Sequence, residues 1–121
     1  SLHRAEGLGL FLAEAMWLGR PIVATGWSGV LQLIDDSHAM LVRYQKVPVR
    51  PGDYPWAPNG AQWAEPDLEH AAECLRRLAA DPALRIELGR RSLDKAQAEF
   101  DPEVFRRNAR AMTGLQSPAR D

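Results

Sequence analysis

The sequence predicts an α/β fold, and three observations carry the prediction. The apolar run Leu8-Gly9-Leu10-Phe11-Leu12-Ala13-Glu14-Ala15-Met16-Trp17-Leu18 has helical length and is stopped by Gly19. The short strand Pro21-Ile22-Val23-Ala24-Thr25 follows directly, and Ala39-Met40-Leu41-Val42-Arg43 repeats the strand pattern after a turn. A buried strand immediately after a helix is the signature of a parallel sheet, so both strands are expected in one partial parallel sheet with flanking helices.

The first helix is expected from about Gly9 to Leu18, with Gly19 as its stop. Gly26-Trp27-Ser28-Gly29 reads as a turn, and Val30 to Ile34 has room for one or two helical turns. From 44 to 65 the pattern breaks. Pro48, Pro51, Pro55, Pro58, Gly52 and Gly60 interrupt any long regular element, which predicts a long loop. Its Tyr54, Trp56 and Trp63 either staple that loop to the domain or face a ligand. A helical segment is expected over 67–112. Asp67 suits an N-cap, and Leu68, Ala71, Ala72, Leu75, Leu78 and Ala79 form an apolar stripe. Asp81-Pro82 and Asp101-Pro102 repeat one start signal, an Asp cap with Pro at the first helical position, where its missing N–H costs nothing. The chain from Glu65 onward carries 10 of the 15 basic and 11 of the 16 acidic residues, so these helices have solvated outer faces. Residues 1–115 then form one domain, with 116–121 as a frayed tail.

A chain of 121 residues is one domain's worth. Its formal net charge of -1 removes a general electrostatic case for nucleic acid or an anionic membrane. The single cysteine, Cys74, lies within a helical pattern and reads as a small buried apolar residue of a reduced, cytoplasmic protein. No stretch has the roughly 20 apolar residues of a spanning helix, and no signal-peptide order is present at the N-terminus.

The chemistry concentrates in Glu6 and Glu14. A helix apolar all round is built to be buried, so a carboxylate in its middle must face a partner or an opening. Gly7 and Gly9 allow a ligand to approach the backbone where the helix begins, and the free N–H groups there form an anion site. Two carboxylates beside a phosphate repel it unless each faces a neutral donor, and sugar hydroxyls are such donors. A diphosphate flanked by hydroxyls, as in a nucleotide sugar, satisfies the pattern.

The run His3-Arg4-Ala5-Glu6-Gly7-Leu8-Gly9-Leu10, with Glu14-Ala15-Met16, Gly19-Arg20-Pro21-Ile22-Val23-Ala24-Thr25 and Ser28-Gly29, resembles the C-terminal domain of family 4 GT-B glycosyltransferases. Tyr54-Pro55 and Trp63-Ala64-Glu65-Pro66-Asp67 are similar to a subset that includes bacterial mannosyl- and rhamnosyltransferases of surface polysaccharides. The resemblance implies a Rossmann-like sheet and a retaining hexosyltransferase that uses a GDP- or UDP-linked sugar, with no metal and no separate cofactor. It implies that Glu6, the catalytic-site candidate, contacts hydroxyls of the transferred sugar. Gly7, Leu8 and Gly9 would present backbone N–H groups to the diphosphate, Leu10 would line the ribose or base edge, and Glu14 would hold the ribose.

In the family an Arg and Lys pair upstream of this motif supplies positive charge to the leaving diphosphate. That pair and the N-terminal acceptor-binding domain lie outside this chain, which is therefore expected to be an inactive trailing part of a larger enzyme working at the inner face of the membrane. The last helix of the family crosses back to the N-terminal domain, so Phe105 and Met112 are expected to be bare here and to favour association. Relatives carry Glu a few residues beyond the glycine turn, or Asn then Asp in the named subset. Here Val30 and Gln32 follow Ser28-Gly29, so no sugar or base contact is assigned to that turn.

Plainer roles stand beside these. Glu6 also suits a helix-start acid favoured by the dipole, and Glu14 a carboxylate paired with an arginine. His3 and Arg4 fit phosphate contact or surface placement equally, and Thr25 to Gly29 fit either a ligand border or a plain turn. Trp17 and Trp27 read as core or interface packing, and Arg90, Arg91, Arg106 and Arg107 as solvated. A non-catalytic binding or interaction module that keeps the scaffold is the alternative to an enzyme fragment. A response regulator or oxidoreductase lacks support, because neither a phospho-acceptor Asp at a strand end nor a glycine fingerprint after a first strand is present.

Overall fold

The computed structural model describes residues 1–104, 106 and 107. Its elements are α1 (Leu10–Trp17), β1 (Ile22–Thr25), a 3-10 turn (Ser28–Gln32), β2 (Ala39–Val42), β3 (Tyr44–Pro48), β4 (Gln62–Pro66), α2 (Leu68–Ala80) and α3 (Pro82–Phe100). β1 and β2 pair in parallel with Ile22 opposite Ala39 and Thr25 opposite Val42, so the expected α/β organisation and the single sheet for these two strands are present. Phe105, Met112, the end of the helical segment expected at 112 and the tail expected at 116–121 lie outside the described residues.

One core joins α1, the parallel strands, the 3-10 turn and α3. Leu12 and Met16 from α1 meet Ile22 and Ala24 of β1, Val30, Leu33 and Ile34 around the 3-10 turn, Ala39 of β2 and Ala96 of α3. Gly19 ends α1 with φ of 61°, a left-handed conformation that glycine adopts without a Cβ clash. The same end of α1 is crossed closely by α3: a Cβ on Gly89 would lie 2.2 Å from the Gly19 carbonyl oxygen. Ser92, fully buried on α3, donates its hydroxyl to the His38 carbonyl at 2.9 Å and fastens the loop before β2.

The caps expected for α2 and α3 are in place. Asp67 accepts the His70 N–H at 2.9 Å and Asp81 the Leu84 N–H at 2.9 Å. The His70 amide and the nearby Arg43 guanidinium hold the Asp67 carboxyl below the usual carboxylate range. The buried edge of α2 is rotated from the expected stripe. Ala71, Cys74 and Leu78 are buried, while Leu68 and Leu75 are exposed. Cys74 occupies the centre of that edge, where burial pushes its thiol up, in keeping with a packing residue. At the next start signal Asp101 accepts the Glu103 N–H at 2.6 Å, and 102–104 are helical.

The loop expected over 44–65 is a correction. Its two ends pair as the antiparallel hairpin β3–β4, with Tyr44 opposite Pro66 and Pro48 opposite Gln62. The prolines that argued against regular structure sit at the ends of these strands or in the connection, where a missing N–H interrupts no ladder. Between the strands, three successive four-residue turns close by backbone bonds from Asp53 N to the Arg50 carbonyl, Ala57 N to Tyr54 and Ala61 N to Pro58. Each turn has a positive φ at its third residue: Gly52 at 90°, Trp56 at 59° and Gly60 at 76°. Trp56 thus occupies a position that glycine fills in the flanking turns, at a cost of about 1 kcal/mol or more.

The lead-in 1–6 ties the two sheets together. The Ser1 amino group donates to the Val23 carbonyl at 2.7 Å and Thr25 N donates to the Ser1 carbonyl at 2.9 Å, so this residue lies along the edge of β1. Ala64 N of β4 donates to the Arg4 carbonyl at 2.9 Å, and the Arg4 side chain pairs with Glu65 and lies over the Trp63 ring. Among the described residues no helix is long and apolar enough to cross a membrane.

The contact of Gly89 with Gly19 involves backbone on both sides, so neither partner can turn aside. Gly89→Ala is expected to destabilise the fold by about 2 kcal/mol, read as a lowered urea midpoint at unchanged m-value.

Candidate functional site

The candidate site is built where the loop before α1 meets the turn after β1. Gly9 has φ of 70° and makes the sharp entry into α1, and it is buried against Val30. Its carbonyl accepts Leu12 N at 2.9 Å and Ala13 N at 3.1 Å, which starts the helix. The amides of Leu10 and Phe11 precede any intrahelical acceptor and carry the positive end of the dipole. Opposite them, Gly29 N donates to the Glu6 carbonyl at 3.2 Å, and a Cβ on Gly29 would lie 1.8 Å from the Gly7 carbonyl oxygen. Only glycine fits there. Ser28 beside it has φ of 71°, an uncommon conformation for a residue with a side chain.

The sequence-derived site residues fall as follows. Gly7 is exposed, with nothing within 4 Å of where a Cβ would stand, while its carbonyl is packed against Gly29. Leu8 and Leu10 are largely exposed, at 61% and 68%. Glu6 is half-buried, and its carboxylate accepts the Gly9 N–H at 3.3 Å. One of the amides expected to face a diphosphate therefore already has an acidic partner from the same loop, as the helix-start role for Glu6 anticipates. Glu14 is exposed, about 6 Å along the axis from Leu10, on the same face.

α1 was expected to be buried all round, and here the structure corrects the sequence. Leu12 and Met16 are buried, but Leu10, Phe11, Trp17 and Leu18 are exposed. Leu10, Ala13, Glu14, Trp17, Leu18 and Phe100 line an open groove of about 540 Å³ in which Glu14 is the only charged lining group among the described residues. The reason is the helix's short length and its packing on two sides only, by the parallel strands and by α3. The side-chain expectation still holds, because Glu14 faces an opening. Trp17, expected as packing, is 49% exposed and forms part of this groove. Phe100 was not singled out. It reaches the groove from the far end of α3, and no local pattern in the chain marks that approach.

The neighbouring residues mostly take structural roles. His3 Nε2 lies 3.1 Å from the Trp27 carbonyl and its Nδ1 3.1 Å from the Ser1 hydroxyl, so the ring braces the lead-in against the β1 turn. Arg4 is turned towards the hairpin. Trp27 packs tilted against Tyr44 at 5.2 Å, with Lys46 Nζ 4.7 Å from its ring centroid. Val30 is fully buried beneath Gly9, whereas Gln32 is exposed, so the first offers no ligand contact. Of the arginines expected in solvent, Arg90 pairs with Asp94 and Arg91 with Glu87 on the exposed face of α3, and Arg106 pairs with Glu103. Arg91 also donates to the Ser37 carbonyl at 3.1 Å. Among the described residues no group of three or more His, Cys, Asp or Glu converges as a metal site.

The arrangement brings together the first amides of α1, an exposed glycine, and a carboxylate on either side of them. Helix-terminal amides suit an anion, and carboxylates suit hydroxyl donors. Comparison of the chain with protein-family models, curated proteins and solved structures gives no match.

The backbone contact at Gly29 is the element on which this arrangement hangs. Gly29→Ala is expected to lower stability by about 1–3 kcal/mol in chemical denaturation. Gly7→Ala, with open space around it, is expected to stay within about 0.5 kcal/mol of the parent.

Proposed function

We propose that the chain is the nucleotide-sugar-binding part of a retaining GT-B glycosyltransferase of family 4, one that transfers a hexose to a saccharide or glycolipid acceptor. The observation that carries this reading is the combination of an exposed Gly7 beside the α1 N-terminus with an exposed Glu14 on the Leu10 face. The diphosphate sits against the amides of Gly7, Leu8 and Gly9, with those of Leu10 and Phe11 beside them, where the helix dipole and N–H donors favour negative charge. Glu14 accepts hydrogen bonds from the ribose hydroxyls, and Leu10 covers the apolar edge of the nucleoside. Glu6 exchanges its bond to Gly9 N for hydroxyls of the transferred sugar, which frees that amide for the diphosphate.

In this reading the residues act by holding the donor, and no proton transfer is assigned to either acid. Positive charge for the departing diphosphate and the acceptor site come from a preceding Rossmann-like domain of the same enzyme. The parallel sheet of β1 and β2 has two strands among the described residues, fewer than such sheets usually have, which fits a larger sheet of which these strands form one part. A cytoplasmic enzyme at the inner face of the membrane completes the reading.

A second reading, a non-catalytic module on the same scaffold, is favoured by one observation. The Glu6 carboxylate and the buried Val30 both serve the local structure around Gly9.

Calorimetric titration with GDP and with UDP separates the two. The donor-site reading expects one nucleotide to bind, and Glu14→Ala to weaken it about tenfold or more, the loss of hydrogen bonds to a charged acceptor. Absence of binding by both nucleotides, or an unchanged affinity in Glu14→Ala, overturns the reading.

A further inference from the structure

We infer that the tip of the β3–β4 hairpin, residues 50–61, is an anchor for the interfacial zone of a lipid bilayer, with Trp56 and Tyr54 as the inserting side chains. Trp56 is 96% exposed and Tyr54 63%, so neither contributes to a core. Trp56 also occupies the positive-φ position of its turn, where the turns before and after it place Gly52 and Gly60. A glycine there would relieve the backbone and remove an exposed aromatic ring from water. The bulky ring thus stands at a position that neither packing nor turn geometry calls for, and a role outside the isolated fold accounts for it.

The chemistry of the tip selects the occupant. Residues 51–61 read Pro-Gly-Asp-Tyr-Pro-Trp-Ala-Pro-Asn-Gly-Ala, with Asp53 as the single charge, and that carboxylate accepts the Arg50 N–H at 3.2 Å. Trp and Tyr, each an apolar ring with one polar atom, prefer the headgroup boundary of a bilayer. Arg4 and Arg43 are paired with Glu65 and Asp67 and Lys46 lies over the Trp27 ring, whereas Arg50, at the base of the tip, forms no ion pair among the described residues and suits a lipid phosphate. A saccharide platform would need polar side chains converging beside the ring, and Trp56 is flanked by Pro55, Ala57 and Pro58. Three consecutive closed turns hold the backbone, so insertion requires little further ordering. With a net charge of -1, attachment rests on the aromatic rings, and Arg50 only assists.

Flotation of the chain with vesicles of phosphatidylcholine and phosphatidylglycerol, and with phosphatidylcholine alone, tests the inference. The wild type is expected to float with both. Trp56→Gly is expected to lose about tenfold in partitioning, the effect of withdrawing one large apolar side chain. Because glycine suits φ of 59°, that variant should unfold cooperatively at the same or a higher temperature, which excludes misfolding as the cause. Brominated lipid should quench the wild-type tryptophan emission and leave that of Trp56→Gly largely unaffected. The inference is overturned if the wild type does not float, if Trp56→Gly floats equally well, or if bromolipid quenches both alike. Retardation on a mannan column without vesicle binding also overturns it, and would make the tip a saccharide platform.

Discussion

The backbone of Gly29 pressed against the backbone of Glu6 and Gly7 is the constraint on which the rest of the molecule depends. The hydrogen bond from Gly29 N to the Glu6 carbonyl joins the turn after β1 to the loop before α1, and no Cβ fits between them. Once that contact is made, Gly9 must turn sharply into α1, and Val30 is carried beneath it into the core. The lead-in is then stretched from the edge of β1, through His3 at the Trp27 carbonyl, to Arg4 on β4. This short segment is one of the links that hold the two two-stranded sheets together, beside Trp27 on Tyr44 and the Asp67 N–H on the Arg43 carbonyl. The glycine-rich entry to α1 is held by backbone packing, so its donors keep their direction without depending on flexible side chains.

The two faces of α1 do different work. Leu12 and Met16 supply packing, while Leu10, Trp17 and Leu18 leave apolar surface open around Glu14. Exposed apolar surface of this kind is uncommon on monomeric proteins unless something covers it. A nucleoside is a suitable cover near Leu10 and Glu14, since it combines an apolar face with hydroxyl donors. The Glu6 carboxylate accepts the Gly9 N–H at 3.3 Å and so caps the entry to α1 from within the same loop.

Legibility in the sequence followed the range of the interactions. The glycine stop after α1 and the Asp caps of α2 and α3 are governed by residues within a few positions of one another, and the apolar runs of β1 and β2 mark the strands themselves, so each occurs where local chemistry puts it. The hairpin at 44–66 was hidden. Its strands carry prolines, and its pairing joins residues separated by three turns, so neither composition nor periodicity exposes it. The exposure of α1 was hidden for a different reason: an apolar run reports what a helix is able to bury, not how many neighbours are present to bury it. In the same way the buried edge of α2 settled on Cys74 in place of Leu75, because α3 and the parallel sheet decide which edge is covered. The placement of Glu6 and Glu14 on either side of the α1 start was readable from their spacing, and the capping of Gly9 by Glu6 from its helix-start role.

The central claim is that the entry to α1 receives an anion through its backbone. Titration of isotopically labelled chain with GDP or UDP, followed by amide nuclear magnetic resonance, tests it most directly. The account predicts that the amides of Gly7, Leu8, Leu10 and Phe11 shift together, that Gly9 shifts as Glu6 releases it, and that the amides of α2 stay in place. Shifts confined to other elements, or none at saturating nucleotide, would contradict it.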